Sequence, residues 1–193
     1  MMVDPLTGIM NQIPKSALIA IIGNPFTYSF HVGLELIRRA YLNFSWYIFV
    51  NDVTQRYSDT LKRYGIVKDD VTFINDLCSG VGFLGRALGS DGNLAYIIAN
   101  SDTSCIEDYF RALMSRDLSV DSVAVIQVDE NHHKPVTYIA DLIIKLSIIE
   151  DPNSLKTISR IAKFILTRGD VTEISMSYSV TPSEVVFKEF TRL

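Results

Sequence analysis

The run Ala17–Ile22 is unbroken apolar sequence that stops at a Gly23-Asn24-Pro25 turn. An amphipathic stretch follows, in which Phe30, Leu34, Ile37 and Tyr41 share one side. A strand that is apolar on both faces must be covered on both faces, which points to an internal strand of an α/β sheet. The arrangement is also the strand–loop–helix context of a phosphate-binding loop. That loop's spacing calls for glycine at 28, lysine at 29 and Ser/Thr at 30, whereas the chain carries Tyr28, Ser29 and Phe30. Lysine is therefore missing where it would reach a β/γ-phosphate, and hydroxyl is missing where magnesium would be held.

The same rhythm continues downstream. Apolar segments at Trp46–Val50, Val71–Ile74, Leu94–Ala99 and Ser122–Val128 read as further strands. Between them, Ser29–Leu42 and Gln55–Tyr64 read as helices, the second with Thr54 as N-cap and Gly65 as its stop. The stretch Gly80–Gly92 is rich in glycine and reads as a short, loose helix. A further helix starts at Ser104, with Glu107 completing a capping box. Strands alternating with helices imply βαβ units and a mainly parallel sheet. After His133 the pattern turns strand-rich, with Tyr138–Leu146, Arg160–Thr167, Glu173–Tyr178 and Val185–Phe187, although Ile158, Ile161 and Ile165 also fit helical spacing. Residues 1–15, with Pro5, Gly8 and Pro14, read as an irregular leader to a single domain spanning 1–193, whose β-rich part is 134–193.

Composition narrows the classes. At 193 residues and 48% hydrophobic content the chain can bury a sizeable core. A net charge of −4 and a pI near 5.3 argue against a nucleic-acid partner. No apolar run approaches the ~20 residues of a membrane span, and the first fifteen residues lack a signal-peptide pattern. Cys78 and Cys105 have no metal spacing and read as reduced thiols of a cytoplasmic protein.

The polar residues of interest fall where strands end. Ligands of open α/β sheets bind at the carboxyl edge, and Asn51-Asp52, Asn100-Ser101 and Asp129-Glu130 follow the second, fourth and fifth strands. Asp52 could serve as a base or cation ligand, but a cap for the next helix is the favoured reading. Asn100 carries no charge to offset magnesium, a cation that binds through carboxylates and phosphates. The adjacent His132 and His133 point to opposite sides of an extended chain and suit a solvated loop better than a metal site. His31 reads as a helix-surface residue.

Taken in order, these segments make the chain resemble the RecA-like ATPases, most closely their KaiC-like branch, from about Lys15 to Phe187. The family's Gly-x-Pro-Gly-x-Gly-Lys-Thr loop stands here as Gly23-Asn24-Pro25-Phe26-Thr27-Tyr28-Ser29-Phe30. Its catalytic glutamate pair stands as Asn51-Asp52, and its Walker B Asp-Ser as Asn100-Ser101. Gly65-Ile66, Asp129-Glu130 and Ala140-Asp141-Leu142 match further family steps. Near the end, an Arg…Lys-x-Arg-Gly segment that in the family reaches a neighbour's nucleotide stands as Arg160…Leu166-Thr167-Arg168-Gly169, with the lysine lost.

The resemblance implies a RecA-like three-layer sandwich, with a mainly parallel central sheet and a β-rich C-terminal section. Phosphoryl transfer relies on positioning and charge stabilisation, and the residues that supply both in the family are altered here. The expectation is a chain without ATPase activity, with no catalytic residue, no metal and no cofactor; ATP with magnesium is the disfavoured alternative. It would act through a protein partner, either as a homo-oligomer or beside a paralogous RecA-like ATPase. Arg168 would be the contact offered to a neighbour. Alternatives are residual nucleotide binding at the Gly23–Phe30 loop, as in a KaiC-like signalling protein, and a recombinase paralogue in DNA repair. An unrelated α/β enzyme built on Asp52, Asn100 and Asp129 is a further reading.

Overall fold

The computed structural model describes residues 5–51, 54–66, 70–99, 104–154, 156–168 and 172–189. A nine-stranded sheet runs through them. Its strands are β1 (Ala17–Ile22), β2 (Ser45–Phe49), β3 (Val71–Ile74), β4 (Asn93–Ile98), β5 (Ser122–Val128), β6 (Leu142–Glu150), β7 (Thr157–Leu166), β8 (Thr172–Val180) and β9 (Val185–Glu189). The order is β3-β2-β4-β5-β1-β6-β7-β8-β9. Every pairing from β3 through to β6 is parallel, and β6 to β9 form an antiparallel meander. The α/β class, the mainly parallel sheet and the β-rich C-terminal section are thus as the sequence implies. The segment whose isoleucines also fit helical spacing is strand β7, Thr157–Leu166.

Burial follows from position. β1 lies between β5 and β6, and all its residues are buried. Alternate side chains face opposite layers. Ile19 and Ile21 join the layer with α1 (Pro5–Met10), α2 (Ser29–Tyr41) and α3 (Thr54–Arg63). Leu18, Ala20 and Ile22 join the layer with α4 (Leu77–Ala87), α5 (Ile106–Met114) and α6 (His133–Thr137). On α2, Phe30, Leu34, Ile37 and Tyr41 are all buried, as their helical spacing predicts.

Several expectations need correction. The leader is not wholly irregular: α1 places Leu6, Ile9 and Met10 in the core, at the i, i+3, i+4 spacing that gives a short helix one apolar side. The glycine-rich stretch opens as a regular helix rather than a loose one. Asp76 caps it by accepting from the Cys78 and Ser79 N–H groups, and Gly82 and Gly85 face open space. The capping box does not form. α5 starts at Ile106, Cys105 stands at its N-cap without a side-chain bond, and the Ser104 hydroxyl lies 3.7 Å from Cys78 Sγ. The segment 133–137 is helix, so β6 begins at Leu142 instead of Tyr138. The cysteines are not free thiols. Packing of α4 against α5 brings their Cα atoms to 5.3 Å and they form a disulfide. Gly65, in contrast, ends its helix as expected, at φ 75°.

One carboxylate ties the edge strand β9 to the helical layer. Glu35 on α2 is fully buried; it accepts from Arg38 at 2.9 and 3.1 Å and from Arg39 at 2.7 Å. It also accepts from the Val185 N–H at 3.2 Å, which anchors β9 to α2. Removing it strands that buried N–H and separates the two guanidinium groups from their counter-charge. Glu35→Ala should lower the unfolding free energy by about 2–3 kcal/mol, measured by urea denaturation.

Candidate functional site

The strand order puts the ends of β1, β2, β4 and β5 on one edge, and the segment after β1 determines what that edge offers. Gly23 leaves β1 and donates its N–H to Val128 O at 3.3 Å. Asn24 then starts a single 3-10 turn, Pro25–Thr27. Its side-chain oxygen accepts the Phe26 N–H at 3.0 Å, and its carbonyl accepts both the Thr27 N–H at 3.1 Å and the Thr27 hydroxyl at 2.6 Å. The Tyr28 N–H goes to Pro25 O at 3.4 Å, and Pro25 has no N–H. Across the sheet, the Tyr178 hydroxyl donates to Thr27 O at 2.6 Å. Burial raises the Tyr178 pKa despite nearby Arg160, so the group remains a donor.

A phosphate-binding loop works by leaving successive backbone N–H groups free to converge on an anion. Here the loop's own oxygens take three of them, the N–H groups of Phe26, Thr27 and Tyr28. Gly23 has no room for a Cβ, which would meet Thr27 Oγ1 at 2.6 Å and Leu146 Cβ at 3.0 Å, so the collapsed turn needs this glycine. Phe30 stands at the magnesium-hydroxyl position. It is buried, with its ring centroid 4.9 Å from Tyr57 and 5.4 Å from Tyr96. The loop residues therefore do not fit a magnesium nucleotide in the manner of a phosphate loop.

Tyr28 has a backbone conformation that favours glycine. Its φ of 55° and ψ of 42° are left-handed, and it is the one non-glycine residue with positive φ among the described residues. This is the position where the motif has glycine, and a side chain there costs about 1–2 kcal/mol. The ring is 43% exposed, and the Arg160 guanidinium carbon sits 5.0 Å from its centroid. Phe26 beside it is 75% exposed.

Next to the loop lies a cleft of about 410 Å³, lined among others by Tyr28, His31, Arg56, Tyr57, Gln127 and Asp129. His31 is not a plain surface residue; it packs edge-on to Tyr28 and Tyr64, at 5.5 and 6.0 Å. Burial, then Arg56 and Arg63, hold its pKa below the usual 6.5. Asp129 accepts from the Asn131 and His132 N–H groups at 2.8 and 3.1 Å, and the His132 ring lies 3.0 Å away. Burial pushes its carboxyl up, but these bonds outweigh that and hold it below the usual range. The His133 ring donates to the Glu130 carbonyl at 2.5 Å. Both histidines are thus spent on the turn into α6, and no metal-binding cluster of His, Cys, Asp or Glu occurs among the described residues.

The other expected positions disperse. Asn51 accepts the first N–H of α4, from Leu77, at 3.0 Å. Asp52, Asn100 and Ser101 lie outside the described residues. Arg168 is on the opposite edge of the sheet from the loop. It pairs with buried Asp141, which also accepts the Leu18 N–H at 2.8 Å and lies 3.5 Å from Arg116. Among the described residues, Arg160 sits against the loop, over the Tyr28 ring. No spacing signalled that contact; it follows from the β6–β7 register, which sets Arg160 opposite Ile148 beyond the end of β1. Arg56 and Tyr57 were likewise missed as cleft residues, because nothing in a helix sequence shows which groove its first turn borders.

No family model and no curated protein sequence matches this chain. Comparison with solved structures finds 236 similar chains. The KaiC-like protein PH0186 from the hyperthermophilic archaeon Pyrococcus horikoshii OT3 superposes with a TM-score of 0.64 at 9% identity, covering 89% of each chain. The flagellar accessory protein FlaH from Methanocaldococcus jannaschii gives 0.64 at 13% identity, covering 97% of this chain and 96% of its own. At such identities the likeness establishes the fold, which is RecA-like, as the order of the sequence segments implies.

Two measurements test this reading of the edge. Tyr28→Gly and Tyr28→Ala both lose the ring, but only alanine keeps the left-handed strain. The glycine variant should be the more stable by about 1 kcal/mol in urea denaturation, reversing the usual order. The depressed His31 pKa means the unfolded chain binds a proton first as pH falls through 6.5. Stability should then rise with pH across that window and be lost below it. Between about pH 7.5 and about pH 5.5 the parent chain should lose more stability than His31→Asn.

Proposed function

We propose that this chain is a RecA-like protein that does not transfer phosphoryl groups and acts as an assembly or regulatory subunit. It associates with a protein partner, either another copy of itself or a RecA-like ATPase. The supporting observation is the loop after β1, where Asn24 and Pro25 oxygens take the N–H groups of Phe26, Thr27 and Tyr28. With lysine replaced by Ser29 and the magnesium hydroxyl by Phe30, the charge stabilisation that phosphoryl transfer depends on is gone. The loop instead presents Phe26 and Tyr28 outward, with Arg160 against the tyrosine ring. Aromatic and arginine side chains are the types enriched at protein interfaces. Fold alone does not give function; the use of these loop groups is what points to association.

The cleft supports a second reading, weak anion or nucleotide binding, because it keeps Arg56, His31 and the start of α2 along its walls. Calorimetric titration with millimolar MgATP, together with thermal unfolding, separates the two. A ligand at 100 times its Kd stabilises a fold by ~2.7 kcal/mol, well within detection. The expected result is neither heat nor stabilisation. Saturable heat with a matching rise in Tm would overturn the proposal and favour the second reading. Phe26→Asp should weaken association about tenfold or more, read by analytical ultracentrifugation of the pure protein and by co-expression with RecA-like ATPases.

A further inference from the structure

The Cys78–Cys105 bond has no part in the function proposed above, and its setting is unlike that of a purely structural staple. Cys78 is the second residue of α4 and is exposed, whereas Cys105 at the cap of α5 is 6% exposed. The two helices are held together by other contacts. The Tyr109 hydroxyl donates to Leu77 O at 2.5 Å, and a Cβ on Gly80 would meet that hydroxyl at 2.6 Å. Leu77, Leu84, Phe110 and Leu113 belong to the same buried cluster. These contacts join α4 to α5 independently of the bond. Both sulfurs sit at helix N-termini, where the dipole favours a thiolate. The Ser104 hydroxyl lies 3.7 Å from Cys78 Sγ and can donate to it, while the Asp76 carboxylate at the α4 cap acts in the opposite direction.

We propose that Cys78 and Cys105 form a reversible thiol–disulfide site. Cys78 exchanges with low-molecular-weight thiols and disulfides, and Cys105 is the resolving sulfur. In the oxidising direction the Cys78 thiolate attacks one sulfur of a low-molecular-weight disulfide and expels a thiolate. The Cys105 thiolate then attacks the Cys78 sulfur, closes the intramolecular bond and expels the second small thiol. Two electrons pass from the protein dithiol to the small disulfide, and the two protein protons end on the released thiols. Reduction runs in reverse, with the incoming thiolate attacking Cys78. The bond joins the first turn of α4 to the cap of α5, on the sheet edge where Asn51 holds Leu77 and where the cleft opens. Redox state would therefore act on the edge that carries the candidate site.

The test uses the folded full chain in buffers of graded oxidised-to-reduced glutathione ratio, quenched with acid and read by mass spectrometry. The bond should open and close without denaturant. Cys105→Ser should accumulate a glutathione adduct on Cys78, and Cys78→Ser should form the Cys105 adduct at least about tenfold more slowly. If either variant fails to fold, iodoacetamide labelling of the reduced parent chain gives the same comparison, with Cys78 alkylated about tenfold faster or more. A bond that yields to glutathione only after unfolding, equal reactivity of the two sulfurs, or a native dithiol that never closes would each overturn the proposal.

Discussion

The structure depends on the position of β1. It has a strand on each side and a helical layer on each face, so every residue from Ala17 to Ile22 is buried. A buried strand must have its backbone groups paired, and β5 and β6 provide that pairing. The consequences run in both directions along the strand. At its end the chain must turn sharply out of the sheet, which produces the Gly23–Tyr28 loop. At its start, Leu18 is held by Asp141, which in turn holds Arg116 and Arg168. One edge thus carries the loop and the cleft, and the other carries a closed ion-pair cluster.

The loop after β1 satisfies much of its own backbone. Backbone N–H groups are strong donors, and one left without an acceptor away from water is destabilising. Acceptors supplied from inside the loop satisfy the N–H groups of Phe26, Thr27 and Tyr28 without a ligand. Asn24 is the residue that allows this, since its side-chain oxygen takes the Phe26 N–H and its carbonyl takes Thr27. Tyr28 keeps the left-handed backbone of the position without glycine's freedom there. A strained conformation that persists is held by its surroundings, here the Arg160 contact above the ring and the Tyr178 bond to Thr27 beneath the turn. The C-terminal meander therefore contributes directly to the loop, which explains why β7 and β8 belong to the candidate site as well as to the sheet.

What lay in the sequence was whatever depends on local periodicity. Strand β1, the buried side of α2, the stop at Gly65 and the alternation that makes the sheet parallel were all legible, because burial imposes a period that the residues must follow. The departures at Tyr28, Ser29 and Phe30 were legible too, since a motif's chemistry is a matter of residue type at fixed spacing. What only the tertiary structure decided were contacts between segments far apart in the chain. These include the Arg160 contact with Tyr28, the Tyr178 bond to Thr27, the Glu35 anchor to β9, the Asp141–Arg168 pair and the approach of Cys78 to Cys105. Each is set by strand register or helix packing, and no local pattern encodes which distant side chain will stand opposite. The identity of the edge's residues was thus written in the sequence, and their partners were decided by the fold, because strand register and helix packing bring together groups that no local pattern pairs.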